Sequence, residues 1–263
     1  MRIARVSNND KVALVTGASK GIGRGIAYGL AAAGWDVVVN YNRDQAGAEE
    51  TAGHVRELGV RCWTLQADAG YSQQVNAMFD KLRAEAGRLD LLVNNAGVQT
   101  FASLLELKEE DFDRTIRTNL KGCFLCSQQA ARMMKEQGHG GAIINIGSGA
   151  NKQPFPSLVD YCASKGGIEN LTKVCAVELG PLGIRVNCVA PGAIEIERTK
   201  HEAGDYAGTW GPITPLRRVG QAKDVAAVVV FLASDAAEFT TGQTVYVDGG
   251  LWTAAQWPYP TVV

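Results

Sequence analysis

Proline is scarce in this chain, with 8 in 263 residues, which excludes a proline-rich disordered tract as its main content. Histidine is scarcer. His54, His139 and His201 are scattered, and none belongs to an HExxH-like cluster. The cysteines Cys62, Cys123, Cys126, Cys162, Cys175 and Cys188 contain one CxxC and no second pair at zinc spacing. That pair, Cys123 and Cys126, falls in a helical apolar pattern with Leu120, Phe124 and Leu125. Both thiols therefore read as small buried hydrophobes, and no metal site is expected. Charge of one sign is also missing. Lys and Arg number 26 against 27 Asp and Glu, a net charge of −1, and no long run of either sign appears. A general nucleic-acid binder needs a basic patch, so that class is disfavoured. The longest apolar run, 225–233, falls far short of the roughly 20 residues that span a bilayer. Residues 1–10 read as a short polar arm without the apolar stretch of a signal peptide. The expectation is a cytoplasmic protein with no membrane or nucleic-acid partner.

Glycine is abundant, at 30 residues, against a usual share of roughly 7%. The glycines punctuate an alternating pattern. Apolar, β-branched runs predict strands at 12–16, 36–40, 61–67, 89–94, 142–146, 184–190 and 244–247. Helical periodicity lies between them at 21–33, 45–58, 72–86, 109–137 (with a break near its start), 159–178 and 224–233. Strands apolar on both faces and alternating with helices predict a doubly wound parallel sheet covered on both sides, in one domain over 11–263. Residues 193–219 lack clean periodicity and hold Gly204, Gly208, Gly211, Pro212 and Pro215. An irregular insert of this length reads as a substrate lid.

The turn after the first strand runs Thr16, Gly17, Ala18, Ser19, Lys20, Gly21, Ile22, Gly23. Its glycines allow phosphate oxygens to approach the backbone, and the following helix offers free N–H groups and partial positive charge. The second strand ends in Asn40, Tyr41, Asn42 and Arg43, with no acid before Asp44. An acid there would bind both ribose hydroxyls and repel a 2′-phosphate. Its absence, with Lys20 and Arg43 in reach, favours NADP(H), while dual use or NAD stays open. Asp68, followed by Ala69, is placed to bond the adenine edge, and Asn94, Asn95, Ala96 and Gly97 follow the fourth strand at the cofactor.

Tyr161 and Lys165 form a YxxxK on one helical face. A lysine ammonium beside a tyrosine favours the phenolate and so makes a usable base. Ser148 ends the fifth strand, where its hydroxyl can bond the reacting oxygen. Pro191 and Gly192 cap the sixth.

With these motifs in order, plus Asn119 and Asp248-Gly249-Gly250, the chain resembles the short-chain dehydrogenase/reductases over nearly its whole length. The resemblance implies a single Rossmann-type domain with a seven-stranded parallel sheet, an NAD(P) cofactor and a homotetramer. It implies Tyr161 as acid/base, Lys165 on the nicotinamide ribose, Ser148 on the reacting oxygen and Asn119 holding a water that extends the proton path. Pro191, Gly192 and Ile194 would lie against the nicotinamide. Where the family often has a threonine for the carboxamide, this chain has Ile196, so that contact must rest on other groups.

Within the family the sequence is most similar to bacterial sugar 1-dehydrogenases, glucose 1-dehydrogenases especially. The implied reaction is oxidation of an anomeric hydroxyl to a lactone. Gln99 and Asn151 stand where glucose enzymes carry acids, and Arg198, Lys200 and His201 in the lid could pair with a carboxylate. An acidic sugar such as a uronate or sulfo-sugar is therefore easier to accommodate. The alternatives are a 3-oxoacyl or small-ketone reductase and a cofactor-binding scaffold without turnover. An apolar lid would favour acyl chains, a polar one sugars. Trp210, Trp252 and Trp257 would stack on a sugar ring or pack a subunit interface, the interface being favoured for Trp252 and Trp257.

Overall fold

Side chains of successive strand residues point to opposite faces, and here both faces are apolar. In the first strand, β1 (Val12–Val15), all four residues are fully buried. Ala13 and Val15 join the core layer beneath α1 (Gly21–Ala32), α2 (Gln45–Glu57) and α8 (Ala222–Ala233). Val12 and Leu14 join the layer beneath α3 (Ser72–Glu85), α5 (Gly122–Gln137) and α6 (Val159–Leu179). Burial of a leucine such as Leu14 contributes about 1.5–3 kcal/mol, so a strand apolar on both faces is stable only inside such a sandwich. The computed structural model describes residues 11–197, 199 and 204–253.

The other strands of the main sheet are β2 (Asp36–Tyr41), β3 (Cys62–Gln66), β4 (Leu91–Asn94), β5 (Gly141–Ile146), β6 (Ile184–Pro191) and β9 (Thr244–Val247). All seven strands are parallel, in the order β3-β2-β1-β4-β5-β6-β9. This is the expected doubly wound α/β fold with seven strands. Among the described residues no helix is long and apolar enough to cross a membrane. Cys123 and Cys126 are buried on α5. Burial pushes the Cys126 thiol up to about 12 and the Cys123 thiol higher still, so both stay neutral and pack as hydrophobes.

Two segments differ from expectation. The helical stretch has no break near its start. From α4 (Glu109–Thr115) the backbone runs through a π-helical turn, Ile116–Lys121, directly into α5. No proline interrupts it, and the wider turn absorbs one extra residue without ending the helix. The irregular segment 193–219 holds a two-residue strand, β7 (Ile194–Glu195), paired with β8 (Gly220–Gln221), and a short helix, α7 (Tyr206–Trp210). Arg198, Lys200, His201, Trp257 and the arm 1–10 lie outside the described residues.

Candidate active site

The carboxyl ends of β1, β4, β5 and β6 meet where the chain, having wound outward from β1 to β3, returns to place β4 on β1's other side. A crevice at such a reversal is where ligands sit in open α/β sheets. On the β1 side, Gly17 takes φ +62°, and a Cβ there would lie 2.9 Å from Ala96 Cα. Glycine is required by the close approach of the β4 loop as well as by the turn. The Thr16 hydroxyl accepts the N–H groups of Asn95 and Ala96 at 2.9 and 3.0 Å. Asn95 Nδ2 donates back to the carbonyls of Thr16 and Gly17 at 2.9 and 3.1 Å. Both its amide hydrogens are used, so Asn95 braces the turn. Asn40, buried in β2, accepts the Gly17 N–H at 3.1 Å and donates to the carbonyls of Leu65 in β3 and of Ala67 just after it. Thr16 opens the glycine-rich motif and Asn40 ends the second strand, but neither is assigned a contact by the sequence. Their signal is a polar side chain inside or ending a buried strand.

Helix α1 opens at Lys20 without a side-chain cap. The Gly21 N–H instead donates to Glu197 Oε2 at 3.2 Å, and Arg24 lies 3.9 Å from the same carboxylate. The chain's own anion thus rests where the helix N-terminus draws negative charge. Beyond β2, Asp44 accepts the Gly47 N–H at 3.0 Å and caps α2, so the first acid is committed to its own helix. Lys20 and Arg43 are exposed and form no ion pair with a described residue. Asp68 accepts from Asn42 Nδ2 at 3.0 Å and from the Gly70 N–H at 2.9 Å, which fixes its carboxylate beside the expected adenine position.

On the β5 side, Ser148 is held by the Ala150 N–H, which donates to its hydroxyl at 3.1 Å. Lys165 is 4% exposed; its ammonium donates to the Ile146 carbonyl at 2.7 Å and lies 5.4 Å from the Tyr161 ring centroid. No described carboxylate pairs with it, so two of its three donors remain for a ligand. Asn119 sits in the π turn. Its Oδ1 accepts the Val98 N–H at 2.8 Å, and its Nδ2 donates to the Val98 carbonyl and to Ser164 Oγ at 2.9 and 3.0 Å. The Asn119 amide donors are therefore spent on protein. A void of about 10 Å³, lined by Asn119, Thr16, Asn94 and Ile146 among others, adjoins it and suits a single water. Ile146 links that void to Lys165.

The face beside Ser148 is aromatic. A side chain on Gly149 would collide with the indole of Trp252. That indole packs edge-on against Phe155 and Trp210, with centroids 5.0 and 6.1 Å away, and Tyr206 follows at 6.3 Å from Trp210. Asp248 fixes the approach by accepting the N–H groups of Gly250 and Trp252 at 2.8 and 3.0 Å. Gly192 passes so close that a Cβ would fall 2.6 Å from that of Asp248. Trp252 thus packs within its own chain beside Ser148. Asn151 is engaged elsewhere, donating to Glu169 and accepting from the Tyr246 hydroxyl at 3.3 Å. Gln99 is half-buried beyond the β4 loop.

A nicotinamide dinucleotide suits this donor set. Gly17 to Gly23 with the α1 N-terminus would hold its phosphates, Asp68 the adenine side and Lys165 a ribose. Residues 17–252 match the family described as Enoyl-(Acyl carrier protein) reductase. The chain is 43% identical to the 3-oxoacyl-(acyl-carrier-protein) reductase FabG of Staphylococcus aureus over 242 residues, 92% of this chain and 98% of that one. It superimposes on the crystal structure of acetoin dehydrogenase from Enterobacter cloacae with a TM-score of 0.87 and 40% identity, covering 95% of this chain and 99% of the other. A short-chain type dehydrogenase/reductase from Mycobacterium marinum gives 0.87 at 37% identity, covering 92% and 95%. The chain belongs to the short-chain dehydrogenase/reductase family. It is an NAD(P)-dependent oxidoreductase acting on CH–OH groups.

Proposed function

We propose that this enzyme interconverts a ketone and a secondary alcohol on a small or acyl-chain substrate, with NADP(H) preferred. The observation that carries this reading is the aromatic wall of Phe155, Trp210 and Trp252 around the Ser148 loop. An aromatic face can stack on a sugar ring as well as pack an acyl chain, but a sugar's several hydroxyls also need hydrogen-bonding partners, and Asn151 beside this wall is already engaged by Glu169 and Tyr246. The 3-oxoacyl reductase and acetoin dehydrogenase relatives support it, and they support it better than the sugar 1-dehydrogenase reading. The nicotinamide, when bound, supplies or accepts the hydride. Ser148 holds the substrate oxygen, Tyr161 gives or takes its proton, and Lys165 orients the ribose and links Tyr161 to the void beside Asn119. NADP(H) is favoured because Asp44 is turned into the α2 cap while Lys20 and Arg43 are free to meet a 2′-phosphate.

The test is nicotinamide absorbance with diacetyl, acetoin, an acetoacetyl thioester, glucose and glucuronate, each with both cofactors. The carbonyl compounds and acetoin are expected to exceed the sugars in kcat/KM by roughly 100-fold or more. NADP(H) is expected to exceed NAD(H) by about 10-fold, with the gap closing in Arg43→Ala. Sugars turning over fastest would restore the sugar reading, and a preference for NAD(H) would overturn the cofactor assignment.

The homotetramer belongs to the same reading. Phe112, Phe124 and Val177 stand exposed on α4, α5 and α6, and Phe231 on α8 across the sheet. Two separate apolar faces suit a dimer of dimers. Light scattering is expected to give about four times the chain mass of 28.0 kDa. A monomer at micromolar concentration would refute it.

A further inference from the structure

Asp160 is a fully buried carboxylate, and no Lys, Arg or His among the described residues makes an ion pair with it. An unpaired buried charge is costly unless hydrogen bonds and local dipoles hold it. Asp160 has both. It lies in the first turn of α6, where the helix dipole favours an anion. The N-cap, Leu158, has no side-chain oxygen, and Asp160 Oδ1 accepts the orphan N–H of Tyr161 at 2.7 Å. Its other oxygen accepts the hydroxyl of buried Thr115 at 2.6 Å. Thr115 is the last residue of α4, immediately before the π turn that carries Asn119.

A second bridge lies four residues on along both segments. Asn119 Nδ2 donates to Ser164 Oγ, which itself donates to the Tyr161 carbonyl at 2.7 Å. Tyr161 is thus held at its N–H through Asp160 and at its carbonyl through Ser164, and both tethers lead to the same α4–π-turn segment. The neighbouring charges are occupied in other contacts. Arg114 pairs with Asp111 and bonds Thr100, Arg117 lies over the Tyr71 ring, and Lys165 bonds the Ile146 carbonyl.

We infer that Thr115 and Asp160 are positioning residues for the reaction. They lock the first turn of α6 onto α4 so that the Tyr161 hydroxyl meets the substrate oxygen held by Ser148. The inference rests on Tyr161 being the acid/base. Misplacing a reacting group by about 1 Å can cost 10²-fold in rate without touching the group itself.

The test uses the full-length enzyme and the fastest-reacting compound of the panel above, whether carbonyl or sugar, in single-turnover stopped flow. Thr115→Val is expected to slow hydride transfer roughly 10-fold or more. Cofactor Kd and substrate KM should stay within about 2-fold, and a primary deuterium isotope effect should be retained or increased. Thr115→Ser keeps the hydroxyl and is expected to restore most of the rate. Asp160→Asn, whose amide can still accept the Tyr161 N–H and donate to Thr115, is expected to retain more rate than Asp160→Ala. Circular dichroism and melting confirm that each variant is folded. If Thr115→Val does not fold, the Asp160→Asn and Asp160→Ala pair decides. The inference fails if Thr115→Val reacts within 2-fold of wild type, if Thr115→Ser is no faster than Thr115→Val, or if the rate loss follows an equal loss of cofactor affinity. It also fails if Asp160→Asn and Asp160→Ala react alike. Tyr161→Phe runs alongside: turnover there above a few per cent of wild type sinks the acid/base reading itself, whereas a Tyr161→Phe below that beside an unaffected Thr115→Val sinks only the positioning role.

Discussion

Tyr161→Phe is expected to lower turnover by 10²-fold or more while leaving the cofactor Kd within about 3-fold of wild type. The magnitude follows from the loss of a positioned acid/base, which contributes roughly 10²–10⁴-fold. The selectivity follows from how Tyr161 is held. Its protein hydrogen bonds run through the backbone, from its N–H to Asp160 and from Ser164 to its carbonyl. Phenylalanine keeps both. It also keeps a ring at the position where the Lys165 ammonium stands 5.4 Å from the centroid, so that cation–π contact survives. Lys165 retains its bond to Ile146 and its free donors. Fold and dinucleotide site should persist, and only the proton transfer is lost. Steady-state turnover, fluorescence titration with NADPH and thermal melting separate these quantities. Turnover above a few per cent of wild type would remove Tyr161 from the acid/base role.

Much of this was legible in the residues because the governing physics is local. β-branched runs such as 36–40 must be buried on both faces, and the glycines after β1 sit where backbone meets backbone. The candidate catalytic residues Tyr161, Lys165 and Ser148 stand out by spacing along one helix and by position at a strand end. Other features depend on groups brought together from distant sequence. The bridge from Thr115 to Asp160 joins residues 45 apart. Trp252 reads as interface ahead of substrate wall until Asp248 and the bare backbone of Gly149 place it on the serine loop. Periodicity suggested a break in the helix 109–137. Periodicity does not foretell a π turn, because that turn widens the hydrogen-bonded ring by one residue without ending the helix. Asn151 looked like a substrate contact by position, but Glu169 and Tyr246 claim its amide. The sugar expectation rests on motifs that carbonyl reductases share, and the segment 193–219 has no regular period from which a substrate could be read.

Asn145→Leu is expected to produce the largest loss of stability of any conservative change beneath the site. Asn145 is completely buried in β5. Its Oδ1 accepts from Asn94 Nδ2 at 2.9 Å and from the Cys123 thiol at 3.2 Å, and its Nδ2 donates to Thr172 Oγ1 at 2.9 Å. These bonds join β4, β5, α5 and α6 in one network. Leucine matches the branching of asparagine but is larger, so no cavity forms and the loss combines the broken polar contacts with some overpacking. The stranded groups keep other partners: Asn94 still donates to Ser127 Oγ at 2.9 Å, and Thr172 still donates to the Ile168 carbonyl at 2.8 Å. The cost should therefore lie near 2–4 kcal/mol, the penalty of partly unsatisfied neutral groups and some overpacking in a low-dielectric interior. In a domain of this size that lowers the melting temperature by roughly 5–15 °C. A melting temperature within 2 °C of wild type would show that the network is not a net source of stability. Because β4 leads directly into the Asn95 brace and β5 toward Ser148, the same variant should also broaden the geometry between the β1 turn and Ser148. Its kcat at 25 °C should fall by more than its cofactor affinity, because the α1 N-terminus and the β1 turn lie outside the broken network.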